Sequence, residues 1–492
     1  MLVINFFNFF SKQIRSRFVS IKTSPMKSFL FGLLFISCSI LSFAQTNVSG
    51  GIYQNATWSL AGSPYVVNGS IVVFPGKTLT IEPGVEIQIN NQNNTNIYIE
   101  TRGTINCIGT DAQPIKIHAL YDTMSTAAWQ GFVCTSTQGG VLNADRVEIS
   151  NAYFPFSYET IPATLSYTNS KFIRCFQAVT VGTNLNLSGC EFIDNEVGVY
   201  GWANFNINNC LFKDNTTSLY IYASAFAMSN CSFIDNQIGA SFLSNAVDSI
   251  VISTCEFLNN GLALNYPNNG KVENCVFSDN GTAIQAAYYC EILNNEFFYN
   301  ELAIEASVDS EIHDNQINNN MGGLIISNVS SVQDSPQIYN NEICGNINFA
   351  VNNNTNMNYS LLSNCFCDLD SAGIESVIID GYDDIIKGLI NYQIYDSSCT
   401  VLLGTILKYG PGAGLEELGL EITFENPVQN ELRILGEASF EVIQVADLSG
   451  KSYEFKSIGH NTFDVSILPA GFYILSSAKG ISMKKGFVKD RY

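Results

Sequence analysis

Positive charge is scarce in this sequence. Its 492 residues include 23 Lys and Arg against 44 Asp and Glu, with three His, a net charge of −21. Residues 1–44 hold five basic residues and no acidic ones, so the remainder carries 18 against 44, a net of −26. A chain this acidic offers no surface to phosphates, which excludes a general nucleic-acid binder. Hydrophobic runs of membrane-spanning length are also missing. The longest apolar stretch, Ser28–Leu41, is shorter than a comfortable helical span. No Ser-His-Asp set or phosphate-cradling glycine loop can be identified. Helix-forming stretches are rare, and so is the leucine framework that a leucine-rich repeat of similar period would need.

The apolar stretch that does exist lies at the N-terminus. Lys27 precedes Ser28–Leu41, and Ser42-Phe43-Ala44 supplies small residues for cleavage, so residues 1–44 read as an export signal. Met26 is an alternative start, which would make 1–25 a spurious extension. The mature chain is then expected to have no transmembrane span.

A repeat is what the sequence has in abundance. CEFIDNEVGV, residues 190–199, returns as CLFKDNTTSL, CSFIDNQIGA, CEFLNNGLAL and CVFSDNGTAI. Its first position runs through Ser170, Cys190, Cys210, Cys231, Cys255, Cys275, Asn295, Asn315 and Asn341, at steps of 20 to 26 residues. Two places on stands a Phe column from Phe172 to Phe297, continued by Ile317 and Ile343. Five places on stands an Asn column that includes Asn195, Asn236, Asn280 and Asn346. A period near 20 with short alternating stretches and Asn/Gly corners predicts a β-solenoid. Three short strands per coil and about a dozen coils between residues 50 and 360 are expected, stacked ~4.8 Å apart. Asn tolerates left-handed backbone and bonds neighbouring peptides, so the Asn column is expected at a corner.

The quoted pieces carry a resemblance. LTIEPGVEI, GTINCIGTDAQPIKI and the C-x-F-x-D/N-N rungs resemble right-handed parallel β-helix proteins of the pectate-lyase-like superfamily. Asn364–Tyr392 is similar to the closing cap of many bacterial members, with Cys365-Phe366-Cys367 in place of their usual Trp-Gly. The resemblance implies a right-handed parallel β-helix over residues 45–400, in a superfamily of enzymes, adhesins and sugar-binding shells. After a Gly-rich linker at 401–419, residues 420–492 alternate as short strands and predict a small β-sandwich. Phe424-Glu425-Asn426-Pro427-Val428, Asp447-Leu448-Ser449-Gly450-Lys451, Leu468-Pro469-Ala470-Gly471-Phe472-Tyr473 and the tail Lys484–Lys489 resemble the C-terminal sorting domain of the type IX secretion system. That implies handling by the type IX machinery and a protein that is secreted or attached to the outer-membrane surface.

Three sets of residues invite chemistry. The column Cys190, Cys210, Cys231, Cys255 and Cys275 reads as small apolar core side chains. A reactive thiol needs nearby positive charge, and Phe172–Ala350 contains only Arg174, Lys213, Lys271 and His313. Cys365, Cys367 and Cys399, near the cap, are the better disulfide candidates. Asp194, Asp214 and Asp235 stack just before the Asn column. Turn chemistry explains them, and a bound Ca²⁺ is the alternative; no other cofactor is implied. Finally, alternation turns Tyr200, Trp202, Tyr220 and Tyr222 outward on consecutive coils, a flat platform suited to sugar rings. The expected role is therefore non-enzymatic, binding polysaccharide or cell-surface glycan, or adhesive and structural. The alternative is a polysaccharide lyase or glycoside hydrolase using Arg102, Lys116, His118, Asp145 and Arg146 in the irregular coils 100–170.

Overall fold

The computed structural model describes residues 45–396, apart from 122, 159–163, 203, 223–224, 243–248, 330, 332–333, 362, 368 and 393–394. Beyond them it describes 423–489, apart from 425–430, 436–441, 448–450, 460–461, 470 and 479–480. The export signal, the linker and Cys399 lie outside the described residues.

Residues 45–396 form an all-β parallel solenoid. One rung shows the plan: Glu191–Ile193 on the first face, Val197–Gly201 on the second, Asn204–Asn208 on the third. Each strand pairs in parallel with its counterpart about 20 residues later, as Phe192 with Phe212, Tyr200 with Tyr220 and Ile207 with Met228. The second and third faces are continuous sheets of ten and nine strands. Strands of three to five residues suffice because hydrogen bonds run between rungs, so each short segment is paired above and below.

Inward columns make the core. Phe172, Phe192, Phe212, Phe233, Phe257, Phe277 and Phe297 are fully buried. Neighbouring rings stack at 4.7–5.1 Å and within 16° of parallel, as in Phe257–Phe277 at 4.8 Å and 3°. Identical rings at rung spacing bury large apolar area in an offset-stacked geometry.

The corners divide the work between two neighbouring positions. Left-handed backbone falls on Asp194, Asp214, Asp235, Asn259 and Asp279, with φ between 54° and 57°. The following Asn is buried instead, which differs from the expectation that the Asn column itself would adopt that conformation. Asn236 shows its function: Nδ2 donates to the Phe212 carbonyl (3.0 Å) and to Asn260 Oδ1 (2.9 Å), while Oδ1 accepts from Asn215 N (2.9 Å) and Asn215 Nδ2 (3.0 Å). The pattern repeats from Asn195 to Asn346, an unbroken amide ladder that satisfies the peptide groups of a dry corner.

A second ladder runs through the other corner of the first face, and here the sequence changes from Cys to Asn. Asn295, Asn315, Asn341 and Asn364 accept the backbone N–H of the rung before, at 2.8–3.1 Å. In earlier rungs sulfur takes the same place: Cys210 N donates to Cys231 Sγ and Cys255 N to Cys275 Sγ, both at 3.4 Å. The thiol is thus a small acceptor in an asparagine position. At the C-terminal end Cys344 and Cys367 form a disulfide, and Cys365 is disulfide-bonded as well. Residues 423–489 contribute seven strands, antiparallel where paired, to a separate small sheet domain. Among the described residues no helix is long and apolar enough to cross a membrane.

Candidate functional site

Chemistry is absent from the cysteine column for an electrostatic reason. All five sulfurs are buried, and burial pushes up the thiols of Cys231 and Cys255. Cys190 is raised first by its hydrogen bond with Cys210 and then by burial. Elsewhere in the core, burial takes Cys107, Cys175 and Cys290 to about 12. Thiols held this far above neutrality are poor nucleophiles and poor metal ligands.

The aspartate column is partnered turn by turn. Asp194 faces Arg174 at 3.7 Å, Asp214 faces Lys213 at 4.0 Å, and Asp235 accepts from Asn259 Nδ2 at 2.7 Å. Partial burial raises the Asp214 carboxyl; Lys213 opposes this, and the like charges of Asp235 and Asp194 add to it. Among the described residues, the group of His, Cys, Asp and Glu whose ligating atoms all lie within 4.8 Å is Glu342–Cys344–Cys367, and two of its members share the disulfide. The three aspartates form no such group. Their carboxylates are arranged as successive turns rather than gathered in one cluster.

The residues set apart for the enzyme alternative fall into separate pairs. Arg102 binds Glu100 at 2.7 Å, and Glu100 also accepts from Thr135 at 2.7 Å. His118 Nε2 meets Glu86 at 2.9 Å, with Nδ1 against the Ala119 carbonyl. Arg146 is held by Asp111 at 2.6 Å and by Asp145. Lys116 has a different role: Glu86, Lys116, Glu148, Lys171 and Glu191 occupy successive rungs of one outward column. The last pair meets at 2.9 Å. This alternating-charge ladder was not foreseen; its signal is the acid or base preceding each inward Ile or Phe of the first face. Near Asp145 a shallow groove of about 440 Å³ is lined by Cys134, Tyr158 and Tyr167 among others. The two phenols meet at 3.2 Å, and burial takes Tyr158 to about 12.

The aromatic residues do converge. Tyr200 and Tyr220 occupy the same position on successive strands of the second face, and their rings stack at 5.6 Å and 19°. Trp202 and Tyr222 stand at the corner beyond, edge-on to Tyr200 at 6.0 and 6.4 Å. The flat four-ring platform is therefore corrected. Tyr200 and Tyr220 are half-buried, while Trp202 is 50% exposed and Tyr222 40%. A Cβ on Gly182 would lie 2.9 Å from the Trp202 indole, so the indole rests directly on that glycine. Tyr222 bonds Tyr220, which raises the Tyr222 phenol. The result is a raised ridge of two exposed rings, supported from beneath by two stacked ones.

The parallel solenoid defines the class of protein: a β-helix. More particularly, residues 50–154 match the family described as "Pectate-lyase like beta helix domain". No curated protein matches the chain. A solved structure titled as a mannuronic acid specific polysaccharide family 6 lyase from human gut microbiota is similar at 10% identity. It covers 66% of this chain and 83% of its own, with a TM-score of 0.28.

Proposed function

We propose that this chain is an exported β-solenoid that binds polysaccharide or cell-surface glycan without cleaving it, and is secreted or held at the outer-membrane surface. Residues 420–492 would act as the sorting domain read by the type IX secretion machinery. The observation that carries the binding reading is the pair of exposed rings, Trp202 and Tyr222, packed against Gly182, Tyr200 and Tyr220. Rigid aromatic faces bind with little loss of side-chain entropy, and their apolar surface matches the C–H face of a pyranose. Affinity electrophoresis in gels containing polysaccharides tests it. The native chain should be retarded by at least one polymer, and the W202A/Y222A chain should migrate freely. Equal retardation of both would remove the ridge as the binding site.

A second reading, a polysaccharide lyase or glycoside hydrolase, draws on the groove beside Asp145, Tyr158 and Tyr167. It requires the release of shorter oligosaccharides when the chain is incubated with polymer. Against it stand the carboxylates that already engage Arg102, His118 and Arg146: Glu100, Glu86 and Asp111.

A further inference from the structure

Trp202 and Tyr222 stand at one edge of the second face, and a second group of rings stands at the other. The N–H groups of Phe176 and Gln177 bond the carbonyls of Ala152 and Tyr153, which places Phe176 in register with Tyr153 and Gln177 with Phe154. The Tyr153 and Phe176 rings stack at 4.7 Å and 10°, and Phe154 stands edge-on to them at 4.4 and 6.4 Å. All three are half-buried, so part of each ring meets solvent. The turn does not need them. In the next three rungs the column of Tyr153 and Phe176 is taken by Glu196, Thr216 and Gln237, all exposed. Aromatic residues kept at a partly exposed position that suits polar ones mark an interaction surface.

Between the two ring groups the face is uncharged. The strands Gln177–Val181, Val197–Gly201 and Thr217–Ile221 turn outward Gln177 and Thr180, Val197 and Tyr200, and Thr217 and Tyr220. Thr180 Oγ1 donates to Gln177 Oε1 at 3.0 Å, which orients the carboxamide and leaves its Nε2 hydrogens as donors for a ligand. Rings at both edges with a few oriented polar groups between them are the composition of a ligand site. The basic residues between Val147 and Tyr222 are Lys171, Arg174 and Lys213, and they face Glu191, Asp194 and Asp214.

Resting on the glycan-binding reading, we propose that the ligand is a neutral polysaccharide that crosses the second face obliquely, from Trp202 and Tyr222 at one edge to Tyr153, Phe154 and Phe176 at the other. The path lies on the three strands just named and stops short of 159–163, 203 and 223–224, which are outside the described residues. Trp202 lies five residues along the strand from the column of Phe154 and two rungs from it, ~16 Å across and ~10 Å along the axis. The oblique distance is ~19 Å, and a pyranose unit is about as long as one rung spacing, so the site holds about four sugars. End sugars stack on the rings, while Gln177 and Thr180 meet hydroxyl groups in between. Neutral charge follows from the surroundings. With a net charge of −21, Glu196 exposed at the edge and the nearby cations already faced by acids, a polyuronate is repelled.

The full chain, W202A/Y222A, F154A/F176A and Q177A are compared in gels containing neutral polymers (mixed-linkage β-glucan, xylan, glucomannan) or acidic ones (alginate, polygalacturonate). The expected result is retardation by a neutral polymer alone. F154A/F176A and Q177A should each bind about tenfold more weakly, ~1.4 kcal/mol. Gln177 lies on the outer surface, so Q177A should keep the native unfolding midpoint and decides the matter even where F154A/F176A is destabilised. Oligosaccharides of the retained polymer should gain affinity up to about four sugars. If W202A/Y222A abolishes binding while F154A/F176A and Q177A leave it unchanged, the oblique site is wrong and the ridge stands. A plateau at one or two sugars has the same meaning. Preference for an acidic polymer overturns the neutral class. No retardation of the native chain by any polymer overturns the oblique site and the glycan-binding reading together.

Discussion

Asn236→Ala removes one rung of the amide ladder. The Asn236 side chain is 2% exposed and makes four hydrogen bonds in a buried corner. Truncation leaves Asn215 N–H with no acceptor and withdraws a donor from the Phe212 carbonyl. Asn215 Nδ2 keeps its bond to Phe192 O at 2.9 Å, and Asn260 Oδ1 keeps the Asn236 N–H at 3.0 Å. A buried group left unsatisfied costs about 1–3 kcal/mol, and the cavity adds to it, so the expected loss is roughly 2–4 kcal/mol. Asn206, exposed on the third face, is the control and should change stability by less than about 0.5 kcal/mol. Urea unfolding followed by circular dichroism reads both. Because each rung contacts only its neighbours, the transition is also expected to broaden in Asn236→Ala. If Asn236→Ala costs no more than Asn206→Ala, the ladder is not what holds the corner, and the reasoning fails.

Three further outcomes follow from the same structure. Cys190, Cys210, Cys231, Cys255 and Cys275 should resist a thiol-specific chromogenic reagent at pH 8 in the folded chain and react fully in denaturant; rapid native labelling would contradict their burial and the raised thiols of Cys190, Cys231 and Cys255. Reducing the Cys344–Cys367 disulfide, with its 23-residue separation, should cost about 3 kcal/mol on the chain-entropy account, read as a lowered unfolding midpoint of the solenoid. Glu100 and Glu296 should behave oppositely with pH. The Arg102 guanidinium holds Glu100 below its ordinary 4.5, so its contribution is complete above that value and is lost as pH falls through the depressed one; Glu100→Gln should destabilise at pH 7 and not at pH 3. Burial raises Glu296, so its ionisation weakens the fold as pH rises; Glu296→Gln should stabilise at pH 7, by up to about 1 kcal/mol, and the gain should vanish in acid.

The solenoid was legible because its repeat is written at successive rungs from Ser170 to Asn346: an inward Phe or Ile, mostly a Cys or Asn two places before it, and mostly an Asn three places after. The corner chemistry was legible only in part. Asp194 and Asn195 are adjacent and both suit turns, and sequence alone does not say which is left-handed and which is buried. The equivalence of Cys and Asn was visible as one column changing from Cys275 to Asn295, but its meaning needed the backbone N–H that both accept. Alternation gave the outward direction of Tyr200, Trp202, Tyr220 and Tyr222. It could not give the support of Trp202 by Gly182, which comes from the previous rung.

The most direct measurement of the central claim is the mobility of the native and W202A/Y222A chains in polysaccharide gels. The account predicts retardation of the native chain by at least one polymer, its loss in the variant, and no release of shorter oligosaccharides. Identical mobility of the two chains in every gel, or depolymerisation by the native one, would contradict it.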